Sequence, residues 1–123
     1  MSNQAQSPKD KKQYDLIERT AKFGENIIGF VRGLTNDFVN KSLASQLVRS
    51  STSIGANYME ADVAESRKDF FHKIGICRKE SKETLHWLRM IAKSEPSRQA
   101  ECRKFWQQAK ELTLIFSSIA QKK

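Results

Sequence analysis

Residues 53–73 have the sequence SIGANYMEADVAESRKDFFHK, in which one amphipathic helix ends and a second, more basic one begins. At this corner Ser66 precedes Asp69 by three positions and Phe70 by four, which is the spacing of a capping box. The Ser66 hydroxyl can accept the Asp69 amide proton, and the Asp69 carboxylate can return to the Ser66 amide. The pattern therefore predicts a helix start at Ser66, the alternative being one unbroken helix through it.

Helical spacing of apolar residues extends through most of the chain. After the corner, apolar and small residues recur at steps of four and three along one face: Phe70, Ile74, Cys77, Ser81, Thr84, Leu88 and Ile91. Four helices are predicted, at about residues 15–34, 36–63, 67–93 and 97–120. Because the connections are short, consecutive helices should be antiparallel neighbours. The expected fold is an all-α, antiparallel, up-down-up-down four-helix bundle.

Length and composition indicate a single domain. The chain has 123 residues, of which 38% are hydrophobic and 29% are charged. Residues 1–13 are predicted to be a disordered polar tail, and residues 14–123 the bundle. No apolar stretch is long enough to span a bilayer, and no signal peptide is visible, so we expect a cytoplasmic protein. Cys77 and Cys102 fall on separate helices and are expected to be buried thiols.

Positive charge is concentrated in the second half of the chain. The net charge is +8, and residues 66–93 hold eight Lys or Arg against three Asp or Glu. Residues 94–123 hold six against three. A concentrated positive field suggests a polyanionic partner, although net charge also serves solubility.

The basic residues of the third helix share one flank. At 100° per residue, Arg78, Lys82 and Arg89 lie together, and basic residues of the fourth helix are expected beside them. The alternative is an ordinary solvated helix face. The candidate contacts to nucleic-acid phosphates are Lys68, Arg78, Lys82, Arg89, Arg103 and Lys110.

The opposite flank of the third helix is apolar. Ile76 and Trp87 lie outside the core stripe, and Trp106 lies at the edge of the stripe on the fourth helix. Apolar side chains surplus to a monomer's core suggest that these three residues contact another subunit. Asn57 lies on the apolar stripe of the second helix, where we expect a hydrogen bond to a neighbouring helix rather than a ligand.

The sequence shows fragments of a di-metal carboxylate site. Glu83 and His86 form a Glu-x-x-His motif, and Asp69 and His72 imitate one, but both pairs lie on the same helix. Their separation of fourteen residues corresponds to about 21 Å, too far to enclose one metal within a subunit. We therefore expect no metal, no cofactor, no catalytic residue and no enzymatic activity.

Three segments resemble a known family: QLVRSSTSIGANYMEA at 46–61, ESRKDFFHK at 65–73 and KESKETLHWLRMI at 79–91. They are similar to the four-helix-bundle proteins encoded in intervening sequences of bacterial 23S rRNA genes, which are related to accessory variability proteins of diversity-generating retroelements. The chain departs from the pattern at Val48, Ala61 and Lys79–Glu80. Matching positions with expected structural roles are Arg49, Asn57, Glu60, Ser66, Asp69 and Glu83.

The resemblance implies a bundle that assembles as a ring, commonly a homopentamer, with a basic surface. Retroelement members look like nucleic-acid binders that assist a reverse transcriptase. The expected function is accordingly a non-enzymatic oligomer that binds RNA or DNA. The alternative is a protein-interaction scaffold, accessory to a reverse transcriptase or another partner, that does not itself bind nucleic acid.

Overall fold

The computed structural model describes residues 8–123, with side chains from Asp15 onward. It contains four α-helices and, within those residues, no strand. The helices are α1 (Pro8–Arg32), α2 (Phe38–Asp62), α3 (Arg67–Ser94) and α4 (Gln99–Ala120), with a short 3₁₀ turn (Pro96–Arg98) before α4. The predicted all-α four-helix bundle is confirmed. No helix in residues 8–123 has the length and apolar character needed to cross a membrane.

The largest difference from the predicted boundaries is at the start of α1. This helix begins at Pro8, about seven residues earlier than expected, because Pro suits a first helical turn and the Lys and Gln residues after it favour helix. Of the predicted tail, residues 8–13 belong to α1 and residues 1–7 lie outside the described residues. The other helix ends lie within two residues of their predicted positions.

Side-chain caps set the starts of α2 and α3. The Ser66 hydroxyl accepts the Asp69 amide proton at 3.0 Å, and the Asp37 carboxylate accepts the Asn40 amide proton at 2.8 Å. The predicted start at Ser66 is therefore confirmed. The expected return bond from the Ser66 amide to Asp69 is absent from the described structure. The exposed Asp69 carboxylate still lies in the first turn, where the helix dipole favours a negative charge.

One apolar core runs between the helices. The ring of Phe105 on α4 lies between those of Phe23 and Phe30 on α1, with centroids 6.4 and 5.3 Å away, and so closes the bundle. The other three interfaces join helices that are consecutive in the chain. The largest fully buried apolar side chains are Ile27, Leu47, Ile54, Ile74, Leu88, Ile91, Leu112 and Phe116.

Buried polar residues fix the register of α2 against α3. The hydroxyls of Ser50 and Thr84 are hydrogen-bonded at 2.9 Å in the core. At the end of this interface where α2 begins, Asn40 donates to the Thr35 carbonyl at 2.9 Å and accepts from the Ser94 hydroxyl at 2.6 Å. Both pairs are satisfied by the same antiparallel register, and a shift of one residue would leave buried polar groups unpaired.

Two glycines allow α1 and α2 to approach closely. A Cβ atom at Gly55 would lie 3.3 Å from the Thr20 hydroxyl oxygen and 3.5 Å from its backbone carbon, and one at Gly24 would lie 3.5 Å from the Thr52 methyl group. By contrast, a Cβ at Gly75 in the middle of α3 would meet no heavy atom within 4 Å. The two types of position should therefore respond differently to substitution.

We expect Gly75→Ala to stabilise the protein by about 1 kcal/mol, since alanine is the better helix former and the site has room. Gly55→Val should destabilise it by about 1–3 kcal/mol, because the added methyl groups force α1 away from α2. Urea denaturation followed by circular dichroism measures both changes. Equal effects of the two substitutions would contradict the close approach at Gly55.

Candidate nucleic-acid interface on helices α3 and α4

The glutamates of α3 are directed toward α2. The Glu80 side chain is only 12% exposed and accepts from the Arg49 guanidinium at 3.3 Å, and Glu83 forms a second ion pair with the same group. Glu83 also accepts the Trp87 indole proton at 2.9 Å. Arg49 and Glu83, both positions of family resemblance, thus join α2 to α3. A further pair, Lys73–Glu60 at 2.6 Å, spans the same interface.

The glutamates of α4 are directed away from α3. Glu111 pairs with Arg19 on α1 at 2.6 Å, and Glu101 pairs with Arg98 in the turn before α4. The hydrogen bond from Arg98 lowers the pKa of the Glu101 carboxyl. Arg98 also lies over the Phe30 ring of α1, 4.8 Å from its centroid. These carboxylates therefore neutralise charge on the α1 side of the bundle.

The six candidate phosphate-binding residues lie away from these carboxylates, on α3 and α4. Of the six, Lys110 is half-buried and the other five are exposed, and none forms an ion pair within the described residues. Lys68 lies in the first turn of α3, about 15 Å along the helix from Arg78, and so marks one end of this surface. We call the remaining five residues the basic face: Arg78, Lys82, Arg89, Arg103 and Lys110.

Helix register aligns the basic face in two parallel columns. Arg89 on α3 and Arg103 on α4 line the same groove. Because the two helices are antiparallel, Lys82 and Lys110, each seven residues away, lie about 10 Å farther along in the same direction. Arg78 follows about 6 Å beyond Lys82. The sequence predicted basic residues of α4 beside the α3 column, and the structure shows which of them lie at the same height.

The groove between Arg89 and Arg103 also contains Trp106. It has a volume of about 200 Å³, and Trp106, which is 37% exposed, forms part of its wall. The remaining lining residues are Leu88, Ala92, Gln99 and Cys102. Sequence reasoning assigned Trp106 to a subunit contact and did not place it beside the two arginines, because the position of α4 relative to α3 is a tertiary property.

Ile76 and Trp87 lie on the other flank of α3, which faces α2. Both are half-buried, and Trp87 packs against the core while its indole nitrogen donates to Glu83. Their proposed subunit contact stays a prediction. Sequence reasoning overlooked the most exposed large apolar residues, which are Phe38, Val39, Met59, Val63 and Leu114.

Asn57 does not bond to a neighbouring helix as predicted. Its side-chain amide donates to the Ser53 carbonyl of its own helix at 2.9 Å. Because Asn57 is half-buried at the edge of the α2 stripe, this local acceptor one turn earlier is within reach.

The cysteines are free thiols, and neither is suited to act as a nucleophile. Burial raises the pKa of Cys77 to about 12 and that of Cys102 to about 11, so both are protonated at neutral pH. His72 and His86 are exposed on the surface of α3. Within residues 15–123, whose side chains the structure describes, no group of three or more His, Cys, Asp or Glu side chains could hold a metal ion.

Comparison with known proteins identifies a family. The model of the 23S rRNA-intervening sequence protein family matches residues 12–118, which include all of α2 and α3. The fold is similar to a crystal structure of a protein with unknown function from the S23 ribosomal protein family of Bacteroides thetaiotaomicron VPI-5482, with a TM-score of 0.80 and 31% identity. That similarity covers 89% of this chain and 98% of the other. No curated protein matches the sequence.

Arg49→Met should destabilise the protein by about 1–3 kcal/mol at neutral pH, because it leaves the buried Glu80 carboxylate without its cation. Adding Glu80→Gln should recover part of this loss, since the buried charge is then removed. Thermal and urea unfolding of the two single variants and the double variant measure the coupling. Strictly additive effects would show that Arg49 does not hold α2 against α3 through Glu80.

Proposed function

This chain belongs to the 23S rRNA-intervening sequence protein family, and we propose that it is a non-enzymatic, oligomeric bundle that binds the phosphates of RNA or DNA through its basic face. The observation that carries this proposal is the segregation of charge around α3 and α4. Glu80, Glu83, Glu101 and Glu111 all pair toward α1, α2 or the turn before α4, whereas the cations of the basic face have no carboxylate partner within residues 15–123, the part of the chain whose side chains are described. Phosphates can supply the missing negative charge.

The dimensions of the basic face suit a nucleic-acid backbone. The separation of about 6 Å between Arg78 and Lys82 is close to the spacing of successive phosphates on one strand, whose axial rise is about 3.4 Å and whose backbone path is longer. The next cations follow about 10 Å farther along. All of these side chains extend from rigid helices and need no backbone rearrangement to reach a phosphate. Such contacts give affinity with little sequence preference.

We also propose that the protein self-associates through the α2-facing flank of α3, as a homopentamer in line with the family resemblance. Ile76 is half-buried in the monomer yet does not belong to the core cluster, and Trp87 is only partly covered. Burial of these two side chains against a second copy would remove apolar surface from water. The basic face lies on the other flank of α3, away from these two side chains.

Replacing Lys82 and Lys110 with Gln should weaken binding to a mixed-sequence RNA. The slope of log affinity against log salt should fall by about 1.4, at about 0.7 per lost phosphate contact with a single strand. Fluorescence anisotropy over a series of salt concentrations measures both quantities. The matched control is Lys22→Gln with Lys41→Gln, which makes the same charge change at exposed positions of α1 and α2. If the native protein binds no RNA or DNA at low salt, the proposal fails and the protein-scaffold alternative is favoured.

Ile76→Glu should dissociate the oligomer, because the interface would have to bury an unpaired carboxylate. Light scattering coupled to size exclusion should give a whole-number multiple of the protomer mass for the native protein, fivefold for a pentamer, and a smaller species for the variant. Val63→Glu, at a position 74% exposed, is the control and should leave the mass unchanged. A monomeric native protein would refute the assembly.

A further inference from the structure

We propose that the groove between α3 and α4 holds an unpaired nucleobase stacked on Trp106, with Arg89 and Arg103 binding the phosphates on either side of it. This inference rests on the proposed function and names its ligand as single-stranded nucleic acid. It assigns Trp106 to ligand binding instead of subunit contact. We call this groove the base groove.

The base groove combines an aromatic wall with an apolar floor. Trp106 is 37% exposed and does not belong to the core cluster, so its indole presents surface to an incoming ligand. Leu88, Ala92 and Cys102 lie beneath it, between the two helices. A planar base placed there would contact the ring on one side and cover the half-buried Ala92 on the other.

The two arginines give the base groove its charge. Arg89 and Arg103 line it from opposite helices, and neither forms an ion pair within the described residues. Guanidinium groups bind phosphate through paired N–H donors and also stack on planar rings. An aromatic platform beside unpaired cations is the combination that binds single strands irrespective of sequence.

A volume of about 200 Å³ limits what can enter. The bases of a duplex are paired and stacked inside the double helix, so a duplex can offer only its backbone to this surface. An unpaired base can turn outward and occupy the base groove while its phosphates reach the arginines. The geometry therefore favours single strands over duplexes, whereas Lys82 and Lys110 would bind either.

Charge also argues against a twofold contact between the base grooves of two copies of this chain. The α3 and α4 glutamates near the base groove are directed to other helices, so two copies meeting face to face would bring Arg89 and Arg103 against their own counterparts. Like charges in contact oppose such an interface. A polyanion meets no such repulsion.

The fluorescence of Trp106 provides a direct test. The chain has two Trp, so Trp87→Phe leaves Trp106 as the only one. Titration of this variant with single-stranded polythymidine should quench its fluorescence, because a base stacks on the indole. A duplex with the same number of phosphates should leave the fluorescence nearly unchanged.

Affinity measurements on a second variant complete the test. Trp106→Ala should weaken single-strand binding by about 5- to 150-fold, the range for loss of one stacked base, and leave duplex binding unaltered. Trp106→Phe should retain most of the affinity, and Leu114→Ala, at a position 58% exposed on the same helix, is the control. If Trp106→Ala unfolds the protein, the quenching experiment decides alone.

Failure of this inference can be told apart from failure of the proposed function. If the native protein binds neither strand nor duplex at low salt, the proposed function itself is wrong. If both bind and Trp106→Ala weakens neither, or weakens both equally, phosphate binding stands and the base groove does not. A change in oligomer mass on Trp106→Ala would show that the indole is buried against another subunit, which also overturns the inference.

Discussion

The ion pairs that Arg49 makes with Glu80 and Glu83 are the interaction on which the surface of this protein depends. They hold α2 against α3 and draw the glutamates of α3 to one flank of that helix. The pair between Arg19 and Glu111 does the same for α4 on its α1 side. Since both sets of carboxylates are used away from the α3–α4 interface, the cations there have no internal partner. The positive face is therefore a consequence of how the bundle is held together.

The core explains why the helices can take one arrangement only. Hydroxyl and amide groups within it are bonded across α2 and α3, and the glycines of α1 and α2 admit a close approach that larger residues would block. Purely apolar stripes slide past one another at little cost, whereas a buried hydroxyl that loses its partner is destabilising. The small polar residues that dilute the apolar pattern of α2 thus specify register.

Much of the fold could be predicted from the sequence because it is encoded locally. The Ser66 cap and the four-three spacing after Phe70 depend on residues within a few positions of one another, and both predictions were confirmed. The bond made by Asn57 and the location of Trp106 beside Arg89 could not be predicted in the same way. They depend on how far each side chain is rotated from its helix interface and on the relative height of two helices, which no single-helix pattern contains. The basic stripe of α3 and its basic neighbours on α4 were predicted from the sequence, but the height at which Arg103 meets Arg89 was not.

The polar cluster where the α1–α2 and α3–α4 connections meet has a consequence for ligand binding. The Asn40 side chain donates to the Thr35 carbonyl and accepts from the Ser94 hydroxyl. The Glu95 carboxylate accepts the Thr35 amide proton at 2.6 Å. These hydrogen bonds join the two loops at one end of the molecule. Along α3, this end is little more than a helical turn from Arg89. Helix ends that are held by such hydrogen bonds unfold locally less often than helix ends without them. A ligand that binds near this end would restrict few backbone motions. The entropy cost of ordering the protein would therefore take little from the free energy of binding.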